Sequence, residues 1–65
     1  MKIKHIDRYY SDIAGYTFIV VYENGDGEQV PCYEALSKEQ KQFMAKAPNF
    51  EFRKSKRGNY YHRFS

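Results

Sequence analysis

A β-hairpin near the middle of the chain is the feature that most restricts the fold. Residues 16–22 read Tyr-Thr-Phe-Ile-Val-Val-Tyr, and β-branched and aromatic side chains favour the pleated surface of a strand. They lead into Asn-Gly-Asp-Gly at residues 24–27, a segment that tolerates the positive φ angles of a tight reversal. The return segment 28–33 contains Pro31. Because proline has no N–H for a sheet ladder, we expect this strand to lie at an edge.

A short helix is predicted after this hairpin. Ser37 and Gln40 have the spacing of a capping box, in which each side chain bonds the free backbone N–H of the other residue. Phe43 and Met44 follow at helical spacing, and Pro48 ends the pattern. The sequence therefore predicts a helix over residues 38–46 with one apolar side.

A second hairpin is predicted at the C-terminal end. Phe50 and Phe52 alternate with Glu51 and Arg53, so the two phenylalanines are expected to face the core. Five residues with the composition of a turn follow, and the alternation then resumes in residues 60–64.

The N-terminal segment completes the predicted fold. Residues 1–6 alternate weakly and predict a strand, whereas residues 7–14 are expected to form a connecting loop that Ile13 anchors. The elements together predict an α+β fold, a small antiparallel sheet of four or five strands with one helix packed on one face, in the order β-β-β-α-β-β. One helix covers one face, so we expect the other face to be solvated or occupied by a partner.

Length and composition exclude several classes of protein. Sixty-five residues form a single domain, residues 1–65, and leave no room for a second. The longest apolar run is residues 18–22, which is too short for a membrane helix, so no membrane partner is expected. A single cysteine forms no internal disulfide, and a fold of this size without a disulfide is typical of the reducing cytoplasm.

The sequence contains no motif for catalysis or metal binding. The separations of Cys32 from His5 and His62 match no compact zinc site, and nothing in the sequence brings a histidine beside the thiol as a base. We expect Cys32 to pack beside Val30 on the return strand, because free cysteine is among the most buried residue types. The sequence therefore predicts a protein that is not an enzyme and needs no metal or cofactor.

Charge is strongly segregated along the chain. Residues 12–36 hold five acids and no lysine or arginine, whereas residues 52–65 hold five lysines or arginines and no acid. Such asymmetry is typical of a chain whose basic end binds an anionic partner. The alternative is that folding brings the two signs together and neutralises both.

The basic hairpin is the predicted binding site. Lysine and arginine contact phosphates, and exposed tyrosines stack on unpaired bases. We therefore expect a small binding module that contacts the backbone of DNA or RNA. The candidate residues are Arg53, Lys54, Lys56, Arg57, Tyr60, Tyr61 and Arg63.

A protein partner is the competing interpretation. The return strand around residues 29–33 presents a sheet edge, and the strand over residues 16–22 is apolar on both of its sides. Either feature suits a partner strand or a second copy of the chain. The chain would then be a regulatory or inhibitory protein-binding module, of the kind common among accessory proteins of phages and mobile elements. A continuous basic surface favours nucleic acid, and its neutralisation by the acidic hairpin favours a protein.

Overall fold

Five antiparallel strands and one α-helix make up the fold in the computed structural model, which describes residues 2–65. The strands are β1 (Ile3–Ser11), β2 (Gly15–Tyr22), β3 (Gly27–Val30), β4 (Phe50–Lys54) and β5 (Tyr60–Phe64). A 3-10 helix (Tyr33–Ala35) and the helix α1 (Lys38–Lys46) lie between β3 and β4. This order confirms the predicted α+β fold and the predicted bounds of the helix. Met1, the first residue of the predicted N-terminal alternation, lies outside the described residues.

The first strand is the centre of the sheet, whose order is β3-β2-β1-β5-β4. One edge of β1 pairs with β2 from Ile3 to Ser11. The other edge pairs with β5, with Ile6 opposite Phe64. The prediction of a loop over residues 7–14 is therefore wrong for residues 7–11, which continue β1 and bond in the sheet. Residues 12–14 do form a connecting turn. Within residues 2–65, no helix has the length and apolar content to cross a membrane.

The connection from β1 to β2 is a turn of only three residues. Ser11 Oγ accepts hydrogen bonds from the N–H groups of Ile13 and Ala14 at 3.2 and 3.3 Å. Gly15 begins β2 with a φ of 72°, a conformation that favours glycine. Ile13 lies at the tip of this turn and is 99% exposed, so the prediction that it anchors a loop is wrong.

The hydrophobic core lies between α1 and one face of the sheet, which we call the helix face. Its buried members are Ile3, Ile6, Phe18, Val20, Val30 and Leu36. Tyr22 packs against this cluster, as do Phe43 and Met44 from the predicted apolar side of α1. The residues of the core therefore come from β1, β2 and β3, from Leu36 just before α1, and from α1 itself.

Gln40 links the start of α1 to the β2–β3 hairpin through hydrogen bonds. Ser37 Oγ accepts a bond from the Gln40 N–H at 3.1 Å, and Gln40 Oε1 accepts one from the Ser37 N–H at 2.8 Å, which confirms the predicted capping box. The Gln40 side-chain amide also donates to Glu28 Oε1 at 2.8 Å and to the Tyr22 hydroxyl at 3.1 Å. The amide is buried with both of its ends satisfied.

Candidate functional site

The helix face extends beyond the helix. Residues that pair directly in a sheet share a face, and Ile6 pairs with Phe64, which in turn pairs with Phe50. The same register places Phe52, Tyr60 and His62 on the helix face. Among residues 2–65, the buried core cluster takes no member from β4 or β5. This half of the helix face is therefore outside the core.

Five rings form a continuous row on the uncovered half, and we call this row the aromatic ladder. Its members are Phe50, Phe52, Tyr60, His62 and Phe64. Phe50 stacks on His62 with ring centroids 5.0 Å apart, and Phe52 stacks on Tyr60 at 5.1 Å. Phe52 also contacts His62 at 5.1 Å, and Phe50 contacts Phe64 at 5.0 Å, which links the two stacks.

The ladder corrects the prediction that Phe50 and Phe52 face the core. Both phenylalanines lie on the side of the sheet that carries the core, but they lie outside it. Phe50, Phe52 and Tyr60 are between 53% and 65% exposed. Alternation along a strand gives the side on which a residue lies, and the size of the covering element decides whether that residue is buried.

Arg8 extends this surface toward the β1–β2 turn. Its guanidinium carbon lies 4.7 Å from the ring centre of Tyr16 and 5.2 Å from that of Phe64, within the range of cation–π attraction. A terminal nitrogen of Arg8 lies 3.5 Å from Nδ1 of His62. Tyr16 also contacts Tyr10 edge to face, with ring centroids 5.3 Å apart. Exposed ring surface therefore continues from the ladder through Arg8 to these two tyrosines.

The charged side chains of this surface are basic. The helix-face residues of β4 and β5, together with Arg8, Tyr10 and Tyr16, include no aspartate or glutamate. Lys54 places its ammonium nitrogen 5.5 Å from the ring centre of Tyr60. Lys56 and Arg57 lie exposed in the turn between β4 and β5. Cations therefore border the end of the ladder that is nearest to this turn.

The acidic turn between β2 and β3, residues 23–26, does not neutralise these cations. Antiparallel pairing places residues 23–26 at the opposite end of the sheet from the basic turn, residues 55–59, and at its other edge. Glu23 pairs there with Lys2 at 3.9 Å. Asp12, in the β1–β2 turn, lies at the same end as the basic turn.

The structure distributes the seven predicted binding residues over two faces and a turn. Lys54 and Tyr60 lie on the helix face with the ladder. The basic turn carries Lys56 and Arg57. The face opposite the helix carries the remaining three, Arg53, Tyr61 and Arg63. A single flat partner therefore cannot contact all seven residues at once.

The residues on the opposite face already have partners within the chain. Arg63 donates from Nε and from a terminal nitrogen to the two carboxylate oxygens of Asp7, at 2.8 and 3.0 Å. These bonds raise the pKa of Arg63 above its usual value. Arg53 pairs with Glu51 at 3.1 Å, and Tyr61 stacks on Tyr9 with centroids 4.7 Å apart. Both guanidinium groups on this face are therefore paired with a carboxylate.

His5 lies close to Asp7, and we expect it to make the stability of the fold depend on pH. Burial lowers the pKa of His5 below 6.5 and outweighs the opposing effect of Asp7, whose carboxylate lies 3.7 Å away. The unfolded chain then binds a proton at a higher pH than the folded chain does. We expect the free energy of unfolding to decrease as the pH falls from about 7.5 to about 5.

Urea denaturation across this pH range checks the expected dependence. His5→Gln is the matched variant, since it removes the titrating ring and leaves His62 in place. The variant should lose less stability than the wild type over the same interval. Equal losses in the two proteins would show that His5 does not contribute.

Cys32 does not lie on a strand. β3 ends at Val30, and Cys32 is a free, exposed thiol at the start of the 3-10 helix. The prediction that it packs beside Val30 is therefore wrong. His62 belongs to the ladder and His5 lies beside Asp7. Residues 2–65 contain no cluster of three or more groups that could hold a metal ion.

The predicted site left out four residues that the structure places on this surface, namely Arg8, Phe50, Phe52 and His62. One signal was available in the lengths of the predicted elements. A helix of nine residues is about 14 Å long, whereas five strands spaced by about 4.8 Å extend across about 19 Å. A helix of this length leaves part of the sheet face on which it packs uncovered, wherever it is placed. The strands left uncovered, β4 and β5, are the ones with the highest proportion of aromatic residues.

Comparisons with known protein families, with curated proteins and with solved structures find no match to this chain. Its chemistry is therefore inferred from the geometry of its own surface. That surface combines exposed rings with flanking cations.

Proposed function

We propose that this chain is a non-enzymatic protein that binds single-stranded nucleic acid on the aromatic ladder. Unpaired bases stack on the exposed rings, and the basic turn contacts the phosphate backbone. The observation that carries the proposal is the continuous row of rings on β4 and β5, left open by a helix that covers only the core residues of β1, β2 and β3. A cytoplasmic location is part of the proposal, supported by the exposed, unpaired Cys32.

The exposure of the rings supports a stacking function. Three ladder members expose more than half of their surface, although burying an aromatic ring is a major source of stability for a small domain. Each base that stacks on an aromatic side chain contributes about 1 to 3 kcal/mol, with little dependence on sequence. Alternate residues of a strand are about 7 Å apart. Phe50 and Phe52, which alternate on β4, can therefore each receive a different base of an extended strand.

The arrangement of charge supports a polyanionic ligand. Lys54, Lys56 and Arg57 lie next to the ladder, and the pairs of Arg53 and Arg63 leave those two cations occupied on the other face. A strand that stacks on Phe52 and Tyr60 has its phosphates close to the basic turn. Single strands suit this surface better than a duplex does, because the faces of paired bases are hidden within the stack.

Fluorescence anisotropy with labelled oligonucleotides of mixed sequence tests the proposal. Phe52→Ala should weaken the binding of single-stranded RNA or DNA by about 1 to 3 kcal/mol, or about 5- to 150-fold. Tyr33→Ala is the matched control, because Tyr33 is an exposed aromatic residue of the 3-10 helix, remote from the ladder. It should bind as the wild type does, and circular dichroism should show that both variants are folded.

A salt titration separates the contribution of the phosphates from that of the bases. Each phosphate contact to a single strand adds about −0.7 to the slope of log affinity against log salt. Lys56→Ala and Arg57→Ala should each flatten the slope by about this amount. Loss of binding with Arg53→Ala and Tyr61→Ala, but not with Phe52→Ala, would move the site to the opposite face. A wild-type chain that binds no oligonucleotide at low salt would rule out the proposal and favour a protein partner for the exposed rings.

A further inference from the structure

The two edges of the sheet differ in how well they are protected against pairing with another strand. β3 has four residues and is followed directly by Pro31, and a short strand that ends at a proline is a poor template for pairing. β4 has five residues, contains no proline or glycine, and pairs with β5 in a continuous register. The outer edge of β4 is therefore the open edge of the sheet.

The backbone groups on this open edge follow from the bonding on its inner edge. Asn49 and Ser65 exchange two N–H···O bonds of 3.0 Å, and the Ser55 N–H donates to the Asn59 carbonyl at 2.8 Å. Antiparallel ladders alternate, so the odd-numbered residues of β4 bond to β5. The N–H and C=O groups of Phe50, Phe52 and Lys54 consequently point outward.

We infer that β4 pairs with the β4 strand of a second copy of this chain, antiparallel and centred on Phe52. In this register Phe52 bonds to its own counterpart, and Phe50 of each copy bonds to Lys54 of the other. Glu51 of one copy lies opposite Arg53 of the other in a non-hydrogen-bonded pair, the kind in which side chains approach most closely. The inference does not depend on nucleic-acid binding.

The side chains of this register are complementary at every position. On the helix face, the two Phe52 rings meet, and each Lys54 lies beside the Phe50 ring of the other copy, as a cation–π pair requires. On the opposite face, Glu51 and Arg53 already pair within each strand at 3.1 Å. Dimerisation would place these two pairs side by side in a network of alternating charge.

Neighbouring registers are disfavoured. A shift by two residues in one direction places Glu51 opposite Glu51, and a shift in the other direction places Arg53 opposite Arg53. Like charges directly opposite each other destabilise a strand pair. A shift by one residue turns the Phe50 and Phe52 side of one strand to the wrong face of the joined sheet. The sequence of β4 therefore selects one register for pairing with itself.

Sedimentation velocity of the full chain from micromolar to millimolar concentration tests the inference. Five residues make a small interface by comparison with stable complexes, so we expect a weak dimer that forms at the upper end of this range. The mass should rise from 7.8 kDa toward twice that value. A wild-type chain that stays monomeric at millimolar concentration would overturn the inference and leave the edge to a different partner.

Charge variants distinguish pairing between copies from pairing within a strand. Glu51→Arg gives a β4 strand with two arginines, and Arg53→Glu gives one with two glutamates. Each variant alone should be monomeric, whereas an equimolar mixture should form a heterodimer, because positions 51 and 53 then meet with opposite charges in both of their cross-strand pairs. Both positions are exposed, and circular dichroism should show native folds. If either variant dimerises alone as well as the wild type does, or if the mixture stays monomeric, the proposed register is wrong.

Discussion

Replacing Phe18 with alanine is expected to unfold the domain. Phe18 is 1% exposed and is among the largest fully buried side chains, and truncating a buried phenylalanine costs about 3 to 5 kcal/mol. A single hydrophobic core in a domain of this size rarely supplies more than about 3 to 5 kcal/mol of net stability. Far-ultraviolet circular dichroism of Phe18→Ala at 25 °C should therefore show an unfolded chain.

Two other phenylalanines provide controls of the same residue type. Phe43 lies half-buried at the margin of the core, so Phe43→Ala should lower the melting temperature and leave a cooperative transition. Phe52 lies on the exposed ladder, and Phe52→Ala should change the melting temperature least. If Phe43→Ala unfolds the chain while Phe18→Ala remains folded, the centre of the core lies closer to the helix than the structure places it.

Replacing Asp7 with alanine is expected to cost about 3 kcal/mol of stability. Asp7 is 5% exposed, and both of its carboxylate oxygens accept bonds from Arg63. Removal of the carboxylate leaves a guanidinium charge without its partner between β1 and β5. The lower end of the range for broken buried pairs applies, because the Arg63 side chain is 23% exposed. Urea denaturation at neutral pH measures the loss.

Breaking an exposed ion pair is the control for the Asp7 variant. Glu51→Ala removes the partner of Arg53 on the same face, and we expect it to cost less than about 1 kcal/mol. The double variant Asp7→Val with Arg63→Val should recover most of the stability lost in Asp7→Ala, because valine suits a strand and no charge is left unpaired. An Asp7→Ala variant as stable as Glu51→Ala would show that the Asp7–Arg63 pair contributes little.

The elements that the sequence predicts well are those with strong local signals. The capping residues Ser37 and Gln40 and the proline after the helix define α1 to the residue. The β2–β3 hairpin is defined by the run of β-branched and aromatic residues over 16–22 and by the glycines that follow this run. In each case the deciding interactions join residues that are close in sequence, so a local pattern contains the information.

The errors arise where a segment depends on residues far away along the chain. Residues 7–11 read as a polar loop, but Asp7 finds its partner in Arg63, 56 residues away. Arg8 similarly lies against Phe64 and His62 of β5. These polar residues belong to a strand because of β5, and no local pattern shows this. The same limit explains Arg63, whose charge is paired by the distant Asp7. Arg53 differs, because its partner Glu51 is two residues away on the same strand.

We expect the central position of the first strand in the sheet to govern the order in which the chain folds. Short turns connect β1, β2 and β3, so this meander can form early from neighbouring residues. The second edge of β1 stays open until β5 arrives, and closing so long a loop is entropically slow. An unpaired strand edge in a folding intermediate invites association with other chains. We therefore expect refolding yield to fall as protein concentration rises, even though this edge is fully paired in the native protein.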